Sequence, residues 1–108
     1  MTYTQQQYEE AGNKVQATRA AYDAAVIAHN QALDAIKNPA IVRAWGGWEA
    51  ARTKITALGE ERSRAFDAWQ KAEAEFRPMW DEAVKACEDL RRKAEEQALF
   101  EANAQVAE

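Results

Sequence analysis

Few residues in this chain could do chemistry, and their spacing does not suit it. His29 is the only histidine. It could serve as a general base, a pH-sensitive switch or a metal ligand. A metal site on a helix needs His, Cys or carboxylate groups converging from positions three or four residues away. No acid stands at such a position from His29. A hydrogen-bonded packing histidine is the expected role. Cys87 is the only cysteine, and Glu82, Glu88 and Asp89 nearby disfavour a thiolate. Ser63 has no histidine within its own helix, and no glycine-rich loop is present to cradle a phosphate. The sequence therefore points away from an enzyme, and no cofactor or metal is expected.

Charge narrows the function classes further. The net charge is −4, with an isoelectric point near 5.1. Neither suits a non-specific nucleic-acid binder, which carries a basic stripe. Acidic doublets recur along the chain, and Asp81-Glu82, Glu88-Asp89 and Glu95-Glu96 repeat at seven-residue steps to make an outward acidic stripe. Such a stripe is usually a solvated face; its functional version imitates nucleic-acid phosphates in a basic groove. Interspersed Lys85, Arg91, Arg92 and Lys93 dilute that signal.

The elements that must carry these residues are helices. Alanine fills nearly a quarter of the 108 residues, with only two prolines and four glycines. An all-α class follows, of a size for one domain. Tyr8, Val15, Tyr22, His29 and Ile36 step by seven along the first third. A second ladder runs through Ile41, Trp48, Ile55, Arg62, Trp69, Phe76, Ala83 and Leu90. Seven-residue steps keep side chains facing a partner helix, as in a coiled coil. Alanines such as Ala11, Ala25, Ala32, Ala51, Ala65, Ala72 and Ala86 fill the remaining seam positions and allow close approach.

Helix one is expected over about 4–37, opened by a Thr4/Gln7 capping box. Asn38-Pro39 supplies both a stop and a new start. Helix two is expected over about 39–104, with breaks to consider at Gly46-Gly47 and at Pro78. A short connection makes the helices antiparallel. The expected architecture is a long helical hairpin, kinked at Pro78 and dimeric; the alternative is a three-helix bundle that reverses near Pro78. Pairing about Lys37-Asn38 sets Arg62 near the level of Gly12 and Val15. It leaves Met79 onward overhanging. Seven acid-before-base pairs at four-residue spacing, Glu10/Lys14, Glu60/Arg64, Asp67/Lys71, Glu73/Arg77, Asp81/Lys85, Glu88/Arg92 and Asp89/Lys93, are expected to support the helices.

The four tryptophans are abundant for this length, and tryptophan is enriched among residues that dominate interfaces. Trp48 and Trp69 lie on the seam and are expected in the core. Trp45 and Trp80 fall on one flank, with Phe66 and Cys87. Two helices cannot bury both stripes. The expected docking surface is Trp80, Val84, Cys87 and Leu90, extended by Trp45 and Phe66. It would bind a protein partner, a second copy included.

The expected function is non-catalytic protein–protein interaction, as an adapter, assembly factor or inhibitor. In size and class the chain is also similar to phage-borne inhibitors of host factors. The alternative is an acidic inhibitor that occludes a nucleic-acid-binding protein through Asp81, Glu82, Glu88, Asp89, Glu95 and Glu96. A single cysteine excludes an internal disulfide and fits the cytoplasm. Met1 to Gln7 has no basic start or apolar run, so no signal peptide is expected. The apolar run Ala24–Ala28 is far short of the ~20 residues of a membrane span.

Overall fold

The computed structural model describes residues 2–107. It contains α1 (Gln5–Ala35), α2 (Pro39–Ala44) and α3 (Trp48–Ala107), with no strand among the described residues. The long helices α1 and α3 pack against each other as an antiparallel hairpin, and α2 forms the bend between them. No helix among the described residues is long and apolar enough to cross a membrane.

Each helix end has a local cause. Thr4 accepts a hydrogen bond from the Gln7 backbone at 3.1 Å, and the Gln7 side chain accepts one from the Thr4 backbone at 2.7 Å. This is the capping box, which satisfies two donors at the start of α1. Asn38 caps α2 by accepting from the Ala40 backbone at 3.0 Å, and Pro39 occupies the first turn, where its missing N–H costs nothing. At the end of α2 the Gly47 N–H donates to the Val42 carbonyl at 2.9 Å and the Gly46 N–H to Arg43 at 3.1 Å. That pair of bonds is the Schellman arrangement. Gly46 and Gly47 adopt φ values of 106° and 102°, a region that side-chain-bearing residues avoid. The second helix of the expected hairpin is therefore split at Gly46-Gly47, and the chain turns in two steps.

At Pro78 the helix continues. α3 is 60 residues long with Pro78 inside it, and a straight helix of that length measures about 90 Å. The longest dimension of the molecule is 89 Å. The three-helix bundle with reversal near Pro78 is thus incorrect: no turn residue accompanies the proline, and helix on both sides outweighs one lost hydrogen bond.

The register differs from the sequence expectation. Gly12 faces Phe76 and His29 faces Gly59, while the Tyr22 and Phe66 rings lie 5.4 Å apart. The helices thus pair about Ala44, not Lys37-Asn38, because α2 takes up chain within the bend. Arg62 therefore lies near the level of Val26, not beside Gly12 and Val15. Coverage by α1 reaches past Arg77 to Glu82, whose carboxylate accepts from the Thr2 backbone at 2.7 Å. The overhang begins near Val84, not at Met79.

The interior is narrow. Among the described residues the buried apolar ones are Ala32, Val42, Ala51 and Ala72. Alanines let the backbones approach, and larger seam residues such as Tyr22, Trp69 and Phe76 are half-buried at the edges of the contact. Trp48, expected in the core, is 62% exposed. It opens α3 beside the bend, where little of α1 remains to cover it. None of the seven expected acid–base pairs is formed. Lys14 reaches across to Glu75 at 3.1 Å, and Arg92 pairs with Asp89 and Glu96, both at 3.8 Å. Exposed ion pairs gain so little that long side chains choose among several partners.

Candidate docking face

Two rows of residues, each just past the seam on its own helix, make one face of the hairpin. On α3 the row is Arg52, Gly59, Phe66, Glu73, Trp80 and Cys87; on α1 it is Gly12, Arg19, Val26 and Leu33. Steps of seven hold each row in line, and antiparallel pairing turns both rows to the same side of the contact plane. Cross-helix neighbours agree with this. A groove near the bend is lined by Leu33, Ile36, Trp48, Arg52 and Ile55. A second groove near the open end is lined by Val15, Glu73, Phe76, Trp80 and Asp81.

Between the grooves lies an aromatic cluster. Tyr22 stacks on Trp69 at 5.6 Å and 16°. Phe66 meets both rings edge-on, at 5.4 and 6.0 Å. Arg19 places its guanidinium 4.6 Å from the Trp69 centroid, closing the cluster from the α1 side. The cluster fixes Phe66 in place, yet Phe66 remains 41% exposed. Trp80 is 57% exposed, tilted against Phe76 at 6.2 Å. Rigid, half-covered aromatics of this kind supply large contact area at little cost in side-chain freedom.

The expected docking residues separate into groups. Phe66 and Trp80 lie on this face, and exposed Cys87 continues their row beyond the reach of α1. Val84 is exposed one turn past Trp80, and Leu90, on the seam line, is exposed on the overhang. Trp45 is apart from all of them. It caps α2 at the bend, half-buried, with the Lys54 ammonium 4.3 Å from its ring. Leu33 and Trp48 belong to the face and were missed by sequence reasoning, because their place depends on the bend. A heptad count from Arg19 and Val26 would have reached Leu33.

The acidic stripe is laced with cations. Asp89 and Glu96 pair with Arg92, Glu95 pairs with Arg91 at 3.8 Å, and Glu82 accepts from the Thr2 backbone. Asp81 and Glu88 make no ion pair among the described residues.

His29 packs on the seam against Gly59, but its Nδ1 is buried without a hydrogen-bond partner. The hydrogen-bonded histidine expected at this position is corrected at that atom: Gly59, its neighbour across the seam, lies against the ring at Nε2 and Cε1 and supplies no side chain. Trp69 Nε1 and the Tyr8 hydroxyl are likewise buried and unpartnered among the described residues. Burial pushes the Tyr8 phenol above its ordinary acidity range, and the negative charge of Glu82 and then Tyr3 add to the shift. No group of three or more His, Cys, Asp or Glu among the described residues is placed to hold a metal ion. Comparison with protein-family models, with characterised proteins and with solved structures finds no match to this chain.

Proposed function

We propose that this chain is a non-catalytic protein–protein interaction element of the cytoplasm, an adapter, assembly factor or inhibitor that docks through the aromatic face of its hairpin. One observation carries the reading. Leu33, Phe66 and Trp80, at 40%, 41% and 57% exposure, stand on one face beside two grooves, while the buried apolar residues among those described are three alanines and one valine. Large apolar side chains exposed together on one face support an interaction site in a chain with so little core. The arginines along 91–92 oppose the alternative, in which the acidic stripe imitates nucleic acid.

Trp80→Glu tests the reading. Its side chain is largely outside the hairpin contact, so helicity by circular dichroism should persist while association is lost. Unfolding of an isolated monomer by Trp80→Glu would make the face ordinary core and end the proposal. Reversing Asp81, Glu88 and Glu95 together should leave association intact. Its loss, with the fold retained, would transfer the function to the acidic stripe.

A further inference from the structure

We infer that the docking face is occupied by a second copy of this chain, laid antiparallel about a two-fold axis at Phe66. The inference rests on the docking-face reading and names its partner. A two-fold contact requires one patch to complement itself, so that whatever residue i meets, that residue's equivalent meets i. The α3 row has this property. Arg52 and Trp80 stand two heptads on either side of Phe66, and Gly59 and Glu73 one heptad. Antiparallel superposition sets Phe66 against Phe66, Gly59 against Glu73 and Arg52 against Trp80. Arg62 of the other copy is within one turn of the Glu73 carboxylate. Trp80 enters the groove of Leu33, Ile36, Trp48 and Ile55, with Arg52 positioned over its ring. Asp81, next to Trp80, comes within reach of the same Arg52. Arg52 and Asp81 make no ion pair within the chain among the described residues.

Tyr22 is level with Phe66, so the same axis crosses α1 near Tyr22 and sets Gly12 against Leu33 and Arg19 against Val26.

Area is sufficient. From Trp48 to Trp80 the face is roughly 48 Å long, and two helices are about 20 Å wide. That gives about 1,000 Å² per copy, at or above the size of a standard stable interface. The molecule exposes 8369 Å², against about 6,000 Å² for a compact chain of this mass. Association into an antiparallel four-helix bundle covers much of that excess.

Sedimentation equilibrium of the full chain should give twice the 12.1 kDa chain mass. Phe66→Cys in a Cys87→Ala background should form a disulfide-linked dimer with oxidised glutathione, since only a residue on the axis meets its own copy. Lys54→Cys in the same background should not. Arg52→Asp and Asp81→Arg should each weaken dimerisation about tenfold, and their combination should restore it. A 12.1 kDa particle with full helicity overturns the inference and leaves the face for a foreign protein. A dimer that crosslinks at Lys54→Cys but not at Phe66→Cys, or whose charge swap is not restored, overturns it as well. Unfolding of a monomer by Trp80→Glu is the separate failure of the docking-face reading.

Discussion

The Tyr8 phenol is enclosed between α1 and the Glu82 end of α3 with no acceptor for its hydroxyl. Burial and the Glu82 charge favour its neutral form, so its pKa is raised above the ordinary value in the folded chain. The group therefore contributes stability below the ordinary tyrosine value of about 10, and that contribution is lost as pH rises through the higher folded value. Thermal melts of the wild type should fall more steeply than those of Tyr8→Phe as pH rises past about 10. At pH 7 Tyr8→Phe should be no less stable, because the hydroxyl it removes makes no hydrogen bond. Equal slopes in the two proteins would show that the phenol is hydrated in solution. His29 Nδ1 and Trp69 Nε1 share this condition. Their positions on the seam were legible from the seven-residue ladder, but their lack of partners was not. A sequence shows which row a residue occupies, and a hydrogen bond depends on what the facing helix presents at the same height.

At the scale of elements, the two long helices and their antiparallel packing follow from periodicity and capping. Their relative height follows from the bend. Residues 36–47, with the six-residue α2 and two glycines among them, separate α1 from α3, and sliding the pairing from Lys37-Asn38 to Ala44 carried Arg62 from Gly12 to Val26. Seven-residue ladders repeat under such a slide, so they could not fix it. The bend is therefore the element that sets the docking face. Gly46→Ala should cost about 1–2 kcal/mol in urea unfolding, from the left-handed backbone alone, and its added Cβ would also meet Ala50 at 3.3 Å. Pro78 has the opposite expectation. It interrupts hydrogen bonding in a helix that continues on both sides, so Pro78→Ala should stabilise the chain by up to about 3 kcal/mol. An unchanged midpoint for Pro78→Ala would show that α3 already yields locally at the proline.

For the whole molecule, shape follows from unequal lengths: α3 runs about 36 Å beyond the level at which α1 begins. A radius of gyration of 25.5 Å, against about 13 Å for a compact chain of this length, expresses the same mismatch. Over 90–106 every residue is exposed. Leu90, Leu99, Phe100 and Val106 are at 64% exposure or more; Leu99 and Val106 stand seven apart and Phe100 continues the line of Ala72 and Ala86, but α1 does not reach them. A lone helix of this length has marginal stability in water, and its opening is local. Trypsin should therefore cleave first after Arg91, Arg92 or Lys93, while Arg62, half-buried at the level of Val26, resists. Mass spectrometry at short digestion times should find a fragment ending within 91–93 that retains the hairpin. The Phe66 axis and the Trp80 anchor lie inside that fragment, so it should associate as the full chain does. A fragment that remains folded but no longer associates would move the interface onto the overhang. Protection at Arg91 through Lys93 equal to that at Arg62 would show that the tail is covered too, with Leu99 and Val106, seven apart, as apolar residues available for that contact.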